Sequence, residues 1–395
     1  MVTLETAENA LKTLYLGVLS NQLNTKTNPL FNKIKQTTAD VWGKEVKKLA
    51  PFGINGGIGA GDEDGNLPHS AQNNYVTFTS TLKNLFGTIE LSDKAIRASS
   101  NSAGAFVNLL NAEMEGLVKA SQFNFGRMLY GNGEGILALG TKHTNAKALS
   151  VDSVKCVIEG MMVDISSIAS PETILRTARI ASIDRANNIV YFDRNVVDIM
   201  TDQDGEEIEV YLTVQNSFNK EISGLGKIFA EDNLPLYGVS RVDYAFMNPL
   251  NQAVSGELND IVMQKMVDQL SEYYGSEVDF IVCSSGVKRA YQTYLNSFRS
   301  NIDVMQLEGG YKAISFNGIP LISDRFVPEG TMYMLNSKDF ALHQLCDWRW
   351  LEGENGKVLK QVAGKPVYTS TLVKYAELIC DHPAGQGCLT GITEC

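Results

Sequence analysis

Proline is scarce in this 395-residue chain, at 10 residues, and cysteine is scarcer, at six. So little proline excludes collagen-like and proline-rich linker architectures. Cys156, Cys283, Cys346, Cys380, Cys388 and Cys395 are too few for a disulfide framework at this length. No stretch approaches eighteen consecutive apolar residues, so no segment reads as a membrane-spanning helix, and the strand-like runs are short for a membrane barrel. The first 21 residues carry Glu5 and Glu8 and have no small-residue cleavage site, so they do not read as a secretion signal. A chain kept reduced in a cytoplasm is the expectation. Cations are also short: 34 Lys+Arg face 45 Asp+Glu, a formal −11. That balance argues against a diffuse grip on nucleic acid as the main activity.

Reaction chemistry is equally thin. The four histidines, His69, His143, His343 and His382, sit in no H-E-x-x-H pattern, and no G-x-S-x-G accompanies them. Gly57, Gly59 and Gly61 do not make G-x-G-x-x-G, and no glycine-lysine pair is followed by Ser or Thr, so no phosphate cradle is expected. The runs at Asp62–Asn66 and Asp202–Glu206 are fragments of calcium loops without the remaining ligands, and read as turns. Cys380, His382, Cys388 and Cys395 are soft ligands near one another, but without the C-x₂₋₄-C knuckle of a structural zinc site. The expectation is no catalytic residue, no metal, no cofactor and no enzyme.

What is present is an organised, globular chain, with 44% apolar residues and a length that suits two or three structural units. Leu4, Ala7, Leu11, Leu14, Tyr15 and Val18 follow helical spacing, and residues 29–50 read as helix in pieces. Residues 1–50 carry +3 from seven Lys and four acids, a candidate strip toward something anionic. Residues 51–74 hold six glycines (Gly53, Gly56, Gly57, Gly59, Gly61 and Gly65), and no Lys or Arg. A loop that long is functional or disordered. Tyr75–Thr81 and Leu85–Leu91 read as strands beside it, together a two-stranded flap with a mobile tip. Residues 99–130 form the clearest helix, through Phe106, Leu110, Met114 and Leu117, ending at Tyr130-Gly131-Asn132-Gly133. Residues 151–214 turn to short period-two runs, with a hairpin about Arg185–Asn188 and another predicted for Val196–Met200 with Ile208–Val214. Their 12 acids against 5 cations, −7, suit an outer surface. Beyond them lies an α+β unit. Ser255 is the expected cap of a helix to Tyr274, and Ser284 of another. Asn317-Gly318 makes a tight hairpin whose second strand, holding Pro320, is expected at an edge. Strands at Phe340–Leu345 and Tyr368–Cys380 then lead into a loose glycine-rich tail.

The order of these parts resembles a tailed-bacteriophage major capsid protein of the Hong Kong 97-type fold. The residues that carry the likeness are Val41-Trp42-Gly43-Lys44-Glu45-Val46, Gly56-Gly57-Ile58-Gly59-Ala60-Gly61, Leu85–Lys94, Tyr130–Gly135, Tyr237-Gly238-Val239-Ser240-Arg241 and, most specific, Asn317–Ile322 with Val327–Tyr333. The resemblance implies an α+β fold with an N-terminal arm (1–44), an extended intersubunit loop (45–92), a peripheral domain with a spine helix (93–150), an inserted β domain (151–219), an axial domain (220–337) and a return to the peripheral domain with a C-terminal tail (338–395). It further implies self-assembly into pentamers and hexamers of an icosahedral head in a host cytoplasm. The expected partners are a portal protein, a separate scaffolding protein, possible decoration proteins and non-specifically contacted double-stranded DNA, with no membrane. With about 50 residues before the loop, the expectation is no fused scaffold segment, and so a separate scaffolding protein or a processed chain. Covalently linked relatives use a loop lysine, and residues 49–82 contain none. An encapsulin-like compartment shell is the nearest alternative. An enzyme would need convergent titratable groups in one pocket, and a surface-layer protein would need a secretion signal.

Overall fold

The computed structural model describes residues 28–94, 103–201, 206–297, 304–306, 312–353 and 356–395, leaving aside the side chains of 103–112, 304–306 and 312. The helix expected over 4–20 lies outside the described residues. The chain divides into two compact units. One holds residues up to Gln122 together with Ile228–Asp324 and Pro328–Cys395; the other is Phe123–Lys227 with Arg325–Val327.

The first unit opens with a one-turn helix, α1 (Pro29–Lys33), capped by Asn28, whose side-chain oxygen accepts the Phe31 N–H at 2.7 Å. Strands β1 (Lys35–Thr37), β2 (Val41–Trp42) and β3 (Glu45–Phe52) follow. Only 29–33 of the expected helical stretch is helix. The reason is the period: Val46, Lys48, Ala50 and Phe52 alternate inward along β3, and a helix would scatter them. β3 pairs antiparallel with β4 (Asn74–Thr81) from Glu45↔Thr81 to Phe52↔Asn74. The flap strands are therefore β3 and β4. The expected partner, 85–91, lies in β5 (Lys83–Ser92), which pairs for ten residues with Val367–Cys380 in another sheet. A single residue, Leu82, separates β4 from β5 and is where the chain changes sheets. The long helix α2 (Ala103–Met128) follows, about 39 Å at 1.5 Å per residue. Met114, Val118, Phe125 and Met128 form its buried stripe.

The second unit takes the end of α2 from Phe123 and then a closed six-stranded barrel. Its strands are β6 (Ile136–Lys142), β7 (Ala148–Val151), β8 (Met162–Ser167), β9 (Ile174–Asp184), β10 (Ile189–Phe192) and β11 (Val210–Val214), in the order β10-β7-β6-β11-β8-β9. Leu149, Val163, Ile165, Ile180, Val190, Phe192 and Leu212 fill the inside. Closure leaves the barrel no free edge. It begins at Ile136, fifteen residues before the expected border. β6 (ILALGTK) and the four-residue β7 (ALSV) carry Leu, Ala, Gly and Ser at most positions where strands normally show β-branched or aromatic residues, so their strand signal is weak. The β9–β10 hairpin is present. The second expected hairpin is reduced to one antiparallel bridge, Thr201↔Glu207, with the Ile208 N–H donating to Met200 O at 3.0 Å, and its first arm is a turn of 3₁₀ helix at Val197–Ile199 instead of a strand. β11 pairs with β6 and β8 instead.

A short helix, α3 (Leu225–Ile228), precedes the rest of the first unit. This consists of β12 (Leu250–Gly256), α4 (Asp260–Tyr274), β13 (Phe280–Cys283), α5 (Ser285–Ser297), β14 (Val304–Gln306), β15 (Lys312–Phe316), β16 (Ile319–Ser323), β17 (Met332–Leu335), β18 (Phe340–Trp350), β19 (Lys360–Gln361), β20 (Val367–Cys380) and β21 (Gly387–Ile392). Seven strands form one mixed sheet in the order β12-β21-β17-β13-β16-β15-β14. Met263, Met266 and Leu270 of α4 and Val287 and Tyr291 of α5 cover it. Asn259, not Ser255, caps α4, because Ser255 is still in β12. Ser284 caps α5 as expected, accepting the Val287 N–H at 3.3 Å. Asn317 and Gly318 both take positive φ, +50° and +80°, as a two-residue hairpin turn requires. β16 is an inner strand, not an edge. It tolerates Pro320 because pairing with β13 starts one residue later, at Ile281↔Leu321. The tail is not loose either: β21 lies between β12 and β17 with Cys388 and Leu389 buried. A second sheet runs β1-β18-β20-β19, with β5 on β20.

Candidate assembly surface

The groups with possible chemistry are dispersed or buried. Cys380 closes β20 and Cys388 lies in β21, in different sheets. Burial pushes the Cys380 thiol far up and the Cys388 thiol to about 12. Cys395 is exposed. Among the described residues no three His, Cys, Asp or Glu side chains are grouped to hold a metal ion. His69 stands exposed on the loop, while His343 is buried with Nδ1 at 2.9 Å from the Ala39 carbonyl oxygen. Lys374 is buried against Asp347, at 2.8 Å, and Gln36, at 3.2 Å, and desolvation lowers its pKa.

The flap is built differently at its root and its tip. At the root, Val46, Ala50, Phe78 and Leu82 pack on Leu236, Tyr237, Val239, Met247 and Ile379. The Thr79 N–H donates to the Tyr237 carbonyl oxygen at 2.8 Å, and the Tyr237 hydroxyl accepts the Cys380 N–H at 3.1 Å. Lys48 Nζ reaches Asp381 at 2.6 Å. Phe52 stacks on Phe246 with ring centroids 5.0 Å apart. The root is anchored by ordinary core packing.

Beyond Phe52 the burial stops: residues 53–73 are exposed, apart from the half-buried Gly57. The glycines let the two legs of the loop approach. A β-carbon on Gly57 would stand 3.3 Å from the Ala71 nitrogen, and one on Gly59 3.0 Å from Pro68 Cγ. Gly56 faces Ala71, and Gly61 faces the Asn66 carbonyl oxygen. The tip closes in a turn in which the Gly65 N–H donates to Asp62 O at 3.1 Å. Gly53 begins the loop with φ +71°. The loop is thus a narrow ribbon, and five of its six glycines line a leg or the closing turn.

Its large side chains are left outside. Ile54 is 83% exposed, Ile58 85% and Leu67 89%. On the outward face of the flap sheet Trp42 is 70% exposed, Leu49 59% and Tyr75 51%. At roughly 150–250 Å² for each aromatic side chain and somewhat less for each aliphatic one, these six, spread from the root of the flap to its tip, leave roughly 800 Å² of apolar area exposed. The sequence reading singled out the glycines of the loop and gave these six side chains no contact role. The readable signal was the alternation over 45–52, which places Leu49 outward, and the isolation of Ile54, Ile58 and Leu67 among residues unable to bury them.

Of the spine positions, Met114 is buried and Leu117 packs against β5 at Gly87, while the side chains of Phe106 and Leu110 lie outside the described set. The Asn317 side-chain amide donates to Gln264 Oε1 at 2.6 Å, tying the hairpin to α4. That contact belongs to the seven-stranded sheet and not to the flap sheet.

No protein-family model matches the chain, and no curated protein does. Solved structures do. The capsid asymmetric unit of cyanophage A-1(L) superposes with a TM-score of 0.54 at 12% identity, covering 97% of this chain and 93% of that one. The capsid of a native GTA particle matches with a TM-score of 0.47 at 12% identity, covering 93% and 91%. The holo-SrpI encapsulin complex from Synechococcus elongatus PCC 7942 gives 0.47 at 10% identity, covering 93% and 89%. The fold rests on the first of these: the chain has the α+β, Hong Kong 97-type capsid fold over nearly its whole length.

Proposed function

We propose that this chain is a major capsid protein that assembles with copies of itself into the icosahedral head of a tailed bacteriophage and encloses its double-stranded DNA. The observation that carries the reading is the flap. A firmly rooted two-stranded element presents roughly 800 Å² of apolar side chains that its own fold does not cover. This is about what one partner contributes to a standard protein interface. Copies of the chain, each laying its flap on the next, satisfy that surface head to tail, and head-to-tail contacts close into rings when the rotation permits. The capsid fold supplies a frame in which such rings become pentamers and hexamers. On this reading residues 45–81 are the intersubunit loop, the seven-stranded sheet with α4 and α5 is the axial domain, and α2 with the β5–β20–β18 sheet is the peripheral domain. The barrel is the insertion, and its excess of acid suits a surface turned away from packaged DNA. Shell assembly here involves a separate scaffolding protein and a portal, and the finished particle has room for a decoration protein. The site of action is the virion.

Electron microscopy of the purified chain, alone and co-expressed with its scaffold, tests the reading. Rings or closed shells are expected. A monodisperse monomer at high concentration under both conditions would overturn it.

A further inference from the structure

We propose that a second copy of this chain adds a strand to the open edge of β4, so that the flap is joined to its neighbour by main-chain hydrogen bonds as well as by apolar contact. The proposal rests on the reading of the flap as an intersubunit element. Two bonds fix which way β4 faces. The Leu82 N–H donates to Lys44 O at 2.9 Å, on the β3 side, so the even-numbered residues of β4 direct their backbone groups toward β3. The Thr79 N–H points the other way, to Tyr237 O at 2.8 Å. Tyr75 and Thr77 share the direction of Thr79, and among the described residues their N–H and C=O groups meet no backbone partner.

Edge strands in folded proteins carry protection: a charge, a proline, a bulge, or a covering element. β3 has it, because β2 covers the far edge as far as Val46 and Pro51 interrupts the remainder. β4 has none toward the tip. Its sequence, Asn-Tyr-Val-Thr-Phe-Thr-Ser-Thr, contains no charge and no proline, and its register runs through eight pairs without a shift. Among the described residues the one backbone contact that covers this edge, from Tyr237, stops at Thr79. An extended segment can therefore dock beside Tyr75 and Thr77, where strand addition supplies affinity through the main chain. A second copy is the occupant because the open edge is continuous with Tyr75, Leu49 and the tip aliphatics. They are five of the six exposed side chains whose total, with Trp42, is roughly 800 Å², one partner's share of a standard interface.

Hydrogen exchange read by mass spectrometry on peptides covering 74–78 tests this in the full chain, comparing free subunits with assembled particles. The Tyr75 and Thr77 amides are expected to slow at least tenfold on assembly. Thr77→Pro provides the second arm. The Thr77 N–H faces the open edge, so proline there removes no bond to β3, and Val76 before it is already extended. T77P subunits should melt with the wild type yet give at least tenfold fewer particles. V76P, whose N–H faces β3, should lower the melting temperature. Unchanged exchange in particles, or T77P particles at wild-type yield, overturns the proposal while leaving the capsid reading intact. Protection seen only while a scaffolding protein is bound also overturns it. A wild type that never assembles overturns both.

Discussion

Gly87 of β5 lies directly beneath Leu117 of α2: a β-carbon at Gly87 would stand 2.7 Å from Leu117 Cδ1 and 3.5 Å from Ser121 Oγ. The missing side chain is what lets the long helix settle onto the sheet. Gly87 sits in a regular strand, so it is there for space and not for an unusual backbone angle. Substitution by Ala should destabilise the subunit by about 1–2 kcal/mol, the cost of overpacking. Leu117→Ala in the same chain should recover part of it, because the colliding atom is the end of that side chain. Denaturant unfolding of the two single variants and the double variant measures the coupling. Additive losses would show that the contact does not limit the packing.

The flap tip should separate folding from assembly. Replacing Ile54, Ile58 and Leu67 together by Ser removes apolar groups that touch nothing in the subunit, so unfolding free energy should move by no more than about 0.5 kcal/mol. Particle yield in sedimentation should fall at least tenfold. A stability loss of several kcal/mol would mean that the tip packs on its own subunit.

The C-terminal strand should be indispensable to the subunit. Among the described residues β21 is the only strand paired with β12, and it also pairs with β17, so the sheet is interrupted without it. Glu394 then fastens the end of the chain, accepting bonds from the Ser284 hydroxyl and, at 2.7 Å, from the Gly330 N–H. Leu389 is fully buried among Met266, Leu270 and their neighbours, and Leu389→Ala should cost about 3 kcal/mol. Removing 387–395 should abolish cooperative thermal unfolding followed by circular dichroism. A truncated chain that melts like the full one would contradict the topology.

Lys374 sets a pH dependence. Desolvation lowers its pKa in the folded subunit, and Asp347 only partly restores it. The unfolded chain therefore binds more protons than the folded one between the lowered value and the free lysine value of about 10.4. Stability should rise with pH across that window and be lost again as pH falls through the folded value. Lys374→Met should abolish the rise, and at neutral pH it should be neutral or stabilising, since an apolar group suits the site better than a buried cation. Thermal melts from pH 7 to 10.5 on both proteins check it. A parallel rise in the variant would assign the effect to another group.

Local chemistry was enough to read several parts of this chain. The 3.6-residue stripe of α2 and its glycine stop, the Asn317-Gly318 turn and the Ser284 cap depend on neighbours a few residues away, and each reads the same in the sequence and in the fold. The order of such parts also carried the likeness to a capsid. Pairing between distant segments was not written locally. β4 and β5 look alike as sequence, yet one joins β3 and the other β20, a choice made by surfaces almost 300 residues apart. The barrel border moved to Ile136 because β6 and β7 become strands only when β11 and β10 close on them. The glycine-rich end looked loose, and became a central strand because Gly387 leaves room for Met266 and Leu270. The assembly surface was hidden for the same reason. Ile54, Ile58 and Leu67 are ordinary apolar residues in a sequence. Only the folded flap, with its legs drawn together by glycine and no core within reach, shows that nothing in this subunit will cover them.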